Sequence, residues 1–160
     1  MFLSVSGMKS GAIAGEAQDQ THKNEIEVLG WSWGMQAKTN LGGGSATTGK
    51  STIRELRITK RVDKASTGLM SALRGNEMVK ATLTLRKAGK NQLEYFVIKI
   101  EDARVTGLDI ETIDVSNSPT LVERIALSFN KISIDYTPQG PDGQARGGTS
   151  FQDEWTINPQ

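Results

Sequence analysis

Residues 79–105, VKATLTLRKAGKNQLEYFVIKIEDARV, decide the fold class. Val79, Ala81, Leu83 and Leu85 alternate with more polar residues. Successive side chains of a strand point to opposite faces, so such a segment buries one face and leaves the other wet. Arg86 to Gln92 holds Gly89 and Asn91, residues suited to a turn. Alternation then resumes from Leu93 to Val105, with Phe96, Ile98 and Ile100 on one face. Two alternating runs joined by a short turn-forming segment predict an antiparallel hairpin.

The same period recurs outward from this hairpin. Leu3 and Val5 start it near the N-terminus, and Ile26 and Val28 alternate with Glu25 and Glu27. The phase then jumps to Leu29, Trp31, Trp33 and Met35, which predicts a bulge at Leu29 and Gly30. Leu56, Ile58 and Val62 form another strand. In the last long stretch, Ile125, Leu127 and Phe129 give way at Asn130 and Lys131 to Ile132, Ile134 and Tyr136, as at a barrel corner. One segment carries helical spacing, Lys64 to Arg74, through Leu69, Met70 and Leu73. Asp63 or Ser66 is placed to cap its start, and Gly75 to end it in the left-handed conformation. Lys38 to Lys50 and Gln139 to Ser150 read as loops. The expectation is a mainly β chain: an antiparallel β-barrel of two packed sheets with one flanking α-helix and extended loops. Residues 1–160 read as a single domain, with a core of about 1–139 and a loosely structured or strand-forming tail, 140–160.

Composition narrows the chemistry. The 160 residues include no cysteine, which removes disulfides, thiolate nucleophiles and Cys-based zinc sites. Nineteen Lys and Arg against eighteen Asp and Glu leave a net charge of +1, too little to draw in phosphate backbones or anionic lipid. Neither nucleic acid nor membrane insertion is expected. MFLSVSGMKSGAIAG, residues 1–15, has neither a basic start nor a continuous apolar run. The protein is therefore expected in the cytoplasm, and outside the cell only by a route without a cleavable signal peptide.

Several motifs compete for a functional reading. Gly44 to Ser51, GSATTGKS, matches G-x-x-x-x-G-K-[ST], the phosphate-cradling loop of nucleotide hydrolases. That loop needs a helix after it, because helix N-terminal amides hold the phosphates. Residues 51–62, STIRELRITKRV, read as a strand instead. His22 is the single histidine and lies in a polar run, where a turn role is expected. Glu25 with Glu27, Glu101 with Asp102, and Asp109 with Glu111 read as the wet faces of strands, and Trp31 with Trp33 as core. Lys60, Arg61 and Lys64, and Arg86, Lys87 and Lys90, read as strand-end charges that discourage edge pairing or meet a partner. A nucleotide-binding protein using Gly44 to Ser51, and a monomeric sugar-binding barrel using Trp31 and Trp33, stay open as alternatives.

Taken together, certain strings resemble a known family. They are Gly15-Glu16 with Asp19 and His22, EIEVLGWSWGM (25–35), TKRVDKAS (59–66) with Leu69-Met70, ATLTLRKAG (81–89), QLEYFVIKI (92–100) and LSFNKISIDYTPQ (127–139). In that order they are similar to the hemolysin-coregulated protein family, the tube subunit of bacterial type VI secretion systems. Thr106 to Pro119 departs from it, being more apolar than the family's glycine-rich linker. The resemblance implies a homo-hexameric ring, ring-on-ring stacking into a hollow tube, a contractile sheath and tip spike as partners, effector cargo in the lumen, no enzymatic role and no cofactor. Within that frame Ser32, opposite Trp31 and Trp33, is expected to line the lumen and touch cargo. The loop carrying Asn40, Gly42, Gly43, Gly44 and Lys50 is expected on a ring face, where it helps stacking.

Overall fold

The hairpin forms, and its second strand runs ten residues past Val105, because two local irregularities reset the alternation instead of ending it. In this computed structural model, which describes residues 1–39, 48–89 and 92–155, the elements follow in the order β1 (Phe2–Gly7), β2 (Gly11–Ala12), β3 (Ile26–Ser32), β4 (Met35–Thr39), β5 (Thr48–Ile53), β6 (Leu56–Arg61), α1 (Ala65–Arg74), β7 (Val79–Arg86), β8 (Glu94–Val115), β9 (Ser118–Ser128), β10 (Lys131–Tyr136) and β11 (Thr149–Glu154). Every strand pairing is antiparallel.

β8 belongs to two sheets. Its first half lies between β7 and β10, in the order β11-β10-β8-β7-β1, and its second half pairs with β9, which continues to β6 and β3. β1 also pairs with β3, so the two sheets close into a barrel. Asp102, at φ 47°, takes up an extra residue opposite Lys80, so the buried set shifts from Ile98 and Ile100 to Ala103 and Val105. The returning strand breaks opposite that bend, where β9 ends at Ser128 and β10 begins at Lys131. This is the corner expected at Asn130 and Lys131. The bulge expected at Leu29 and Gly30 is present too, as a register shift between Val28 and Gly30 against β6.

The core fills the space between the sheets: Leu3 and Val5 of β1, Ile26 of β3, Leu56 and Ile58 of β6, Leu83 of β7, Ile98 and Ile100 of β8, Ile125 and Leu127 of β9. Each such side chain contributes about 1.5–3 kcal/mol on burial. α1 closes one side with Ala65, Ser66, Leu69 and Ala72. Asp63 holds its start by accepting a hydrogen bond from the Ala65 N–H (3.0 Å), and the inward-turned Ser66 Oγ accepts one from the Asp63 N–H (3.0 Å). Gly75 does not take the left-handed conformation, its φ being −81°; Asn76, at φ 47°, takes it one residue later.

One sequence expectation fails inside the barrel. Lys60 is not a strand-end charge: it is fully buried, and its Nζ donates to Glu123 Oε2 (2.7 Å) and Ser66 Oγ (3.1 Å) while lying 2.8 Å from Asp63 Oδ1. Ser66 Oγ donates to the same Glu123 oxygen (2.6 Å), and Glu123 is also fully buried. This network ties the start of α1 to the middle of the second sheet. His22 lies in the expected turn, its carbonyl accepting from the Glu25 N–H (3.1 Å). It is buried, stacks on Phe2 with centroids 4.5 Å apart, and sets Nδ1 2.9 Å from Glu25 and Nε2 3.0 Å from Glu94.

His22 belongs to a strap, residues 13–25, laid over the barrel. Gly15 N–H donates to Asn24 O and Ala17 N–H to Glu25 O. The strap crosses so closely that a Cβ at Gly15 would lie 2.5 Å from the Glu25 carbonyl oxygen. Arg86 clamps its apex through an ion pair with Asp19 and also lies over the Phe2 ring, its guanidinium 5.1 Å from the ring centroid. That guanidinium holds the Asp19 carboxyl well below the usual carboxylate range. No helix of the described residues is long and apolar enough to cross a membrane.

Candidate functional site

The outward face of the second sheet carries the most distinctive surface. Trp31 faces inward, stacked on Phe96 at 5.8 Å, and with Trp33 packs half-buried against the core. Ser32 between them is therefore turned to the opposite face, and it is exposed. Register then decides its neighbours. Ser32 is opposite Arg57, Arg57 opposite Ala126, and Ala126 opposite Gly107. The next row runs Gly30, Thr59, Arg124, Asp109. Serine, alanine and two glycines leave a trough between the longer side chains.

The trough holds two adjoining depressions. One, of about 520 Å³, is lined by Ser32, Trp33, Ile53, Arg54, Glu55 and Arg57. The other, of about 250 Å³, lies over Arg57, Thr59, Gly107, Asp109, Arg124 and Ala126. Glu55 is fixed at their junction, accepting hydrogen bonds from Thr106 Oγ1 (2.7 Å) and Ser128 Oγ (3.0 Å). Its approach to Arg57, 3.9 Å with Arg57 72% exposed, is an open ion pair that contributes about 0–1 kcal/mol. Arg57 is thus available to an incoming group, as is Arg54, whose guanidinium lies beside Gly34. The face offers a hydroxyl, two accessible guanidiniums and a fixed carboxylate, which suit it to hold a polar protein surface.

The other sequence candidates sort by position. Asn40, Gly42, Gly43 and Gly44 lie outside the described residues, and Lys50 is in β5. Because β5 spans Thr48–Ile53, the segment after the phosphate-loop motif is a strand, with no helix N-terminus there to hold phosphates. Trp31 is taken by Phe96 and the core, so the tryptophans form no exposed stacking platform. Of the acidic pairs, Glu25 is engaged by His22 and Glu111 by Arg124. Arg57 escaped the sequence reading as a site residue. Its outward direction is legible from Leu56 and Ile58, but its place beside Ser32 depends on the pairing of β3 with β6.

Comparison with known proteins follows the same architecture. The family described as "Type VI secretion system effector, Hcp" matches residues 2–136. Protein hcp1 of Pseudomonas aeruginosa is 38% identical over 144 residues, covering 88% of each chain. Among solved structures, a type six secretion system protein superimposes with a TM-score of 0.82 at 25% identity, covering 98% of this chain and 95% of the other. Hcp1 from Salmonella typhimurium gives 0.70 at 27% identity, covering 96% and 93%. With its barrel, its helix and nearly its whole length accounted for in this way, the chain belongs to the Hcp family of type VI secretion proteins.

Proposed function

We propose that the chain is the repeating subunit of the type VI secretion inner tube. Residues 1–160 act as one domain, six copies close into a ring, rings stack into a hollow tube, and contraction of a surrounding sheath expels the tube with its tip spike. A head-to-tail contact that closes makes a ring, and a stacking contact that does not close makes a filament. Effectors ride in the lumen, which is lined by the outward face of the second sheet, with Ser32 among the cargo contacts. The loop of Asn40, Gly42, Gly43, Gly44 and Lys50 sits on a ring face and assists stacking. The chain reaches the outside of the cell, uses no cofactor, and engages neither nucleic acid nor lipid. Its role is structural and carrying, not enzymatic.

The observation that carries this reading is the shallow polar trough on the exposed face of a barrel belonging to the Hcp family. Such a surface suits one protein held against another more than a small molecule enclosed in a pocket. Negative-stain microscopy of the purified chain, with mass measured in solution, tests it. Rings of hexameric mass are expected; monomers alone at high concentration would refute the proposal.

A further inference from the structure

The larger depression of the trough carries an unbalanced charge. Its charged lining is Arg54, Glu55 and Arg57, and both arginines are exposed. A guanidinium presents five N–H donors and no acceptor, and Ser32, directly opposite Arg57, adds a hydroxyl. Glu55 is the carboxylate of this lining. Its Oε1 already accepts from the Thr106 and Ser128 hydroxyls, and its Oε2 stays 3.9 Å from Arg57 Nη2. One anchored carboxylate does not balance two guanidiniums, so the depression keeps excess positive charge and donors in search of acceptors.

Elsewhere on the same face the charges cancel. Arg124 is engaged by Glu111 and stands opposite Asp109 in register. Arg61, at the far end of β6, lines a separate depression together with Glu16, Glu27 and Asp63. The excess is therefore concentrated beside Ser32. Access to it is open as well, because the row through Arg57 is otherwise built from Ser32, Ala126 and Gly107, whose small side chains leave the guanidinium uncrowded.

We propose that this depression selects cargo by charge: it takes an acidic segment of an effector, Arg57 and Arg54 receiving Asp or Glu carboxylates beside Ser32. This rests on the reading of the outward face as the lumen, and it names the chemistry of what is held there. The planar guanidinium fork matches a carboxylate in shape as well as charge. A single exposed pair of this kind is weak, so one copy alone holds cargo poorly. Six copies turn the same two arginines to one lumen, and contacts with a single cargo multiply. Glu55 limits the affinity, since it competes for Arg57 and repels an incoming acid. Exposed charges are screened by salt within about 10 Å at 0.1 M, so retention weakens as salt rises.

Fluorescence anisotropy on the full chain, with ring mass checked in solution, tests this with labelled peptides of equal length in which glycine alternates with glutamate, lysine or serine. The glutamate peptide is expected to bind roughly tenfold or more tighter than the serine peptide, since small gains compound over the copies of a ring, and the lysine peptide is expected not to bind. Arg54→Gln with Arg57→Gln should abolish the preference while rings persist. Arg57→Gln alone should show a smaller loss, which keeps the test open if the double variant does not assemble. Glu55→Gln should raise affinity for the glutamate peptide severalfold, a gain that misfolding does not produce, whereas Arg74→Gln, which removes an exposed charge on α1, should change nothing. Rings that bind the three peptides alike, a preference unchanged in the arginine variants, an equal loss in Arg74→Gln, or single-stranded DNA bound as tightly as the glutamate peptide would each overturn the acid-selective site and leave the tube reading standing. A parent protein that never forms rings would sink both.

Discussion

Replacing Lys60 with methionine should destabilise the protein more than its single lost charge suggests. The change keeps most of the side chain's length and bulk but removes the ammonium that lies 2.7 Å from Glu123 Oε2 and 2.8 Å from Asp63 Oδ1. Glu123 has no exposed surface, its Oε1 has no hydrogen-bond partner among the described residues, and Oε2 would keep only the Ser66 hydroxyl. Removing one partner of a buried pair costs about 3–5 kcal/mol, because the remaining charge is left without compensation. Set against a typical total of about 5–15 kcal/mol, that is a large fraction, and it corresponds to a fall in Tm of roughly 6–20 °C for a chain of this size. Urea unfolding followed by tryptophan fluorescence measures it, with protein concentration held fixed because self-association shifts apparent stability. A double variant, Lys60→Met with Glu123→Leu, should recover most of the loss, since an apolar pair of similar volume replaces a buried ion pair at little cost. A loss below about 1 kcal/mol for Lys60→Met, or no coupling in the double-mutant cycle, would refute this account of the cluster.

Four further outcomes follow from the strap and the trough. The Asp19 carboxyl is held below its ordinary value of 3.8 by Arg86, so its contribution to stability is present above about pH 4 and fades as pH falls below it. The stability difference between parent and Arg86→Met should therefore be large near neutrality and shrink in acid; a difference independent of pH would count against the clamp. Gly15→Ala would press a methyl to within 2.5 Å of the Glu25 carbonyl and should cost about 1–3 kcal/mol, with the strap cleaved faster by protease. Gly30→Ala, which meets nothing within 4 Å, should stay within about 0.5 kcal/mol of the parent in the same urea series. Ser32→Gln should lower retention of co-expressed cargo without dissolving rings, and unchanged retention would remove Ser32 from the cargo surface.

Local sequence determined which segments are strands and where they bend. Alternation is written in neighbouring residues, so Leu3 with Val5, Ile26 with Val28, and the Val79–Leu85 run could be read directly, as could the phase jumps at Leu29 and at Asn130. The bland reading of the phosphate-loop motif was legible for the same reason. What only the tertiary structure decided is whatever depends on residues far apart in the chain. Lys60 looks like a surface charge until Glu123, 63 residues away, comes within 2.7 Å of it. His22 reads as a turn residue and is one, but its enclosure by Glu94 and Phe2 is set by distant parts of the chain. Residues 106–119 conceal a ribbon, since the resets at Thr106 and Asp102 hide its period and only pairing with β9 reveals it. Ser32 could be assigned a face from its own neighbours, but its place beside Arg57 had to await strand register, because side-chain direction is set by adjacent peptide units and proximity across a sheet by hydrogen bonds between distant ones.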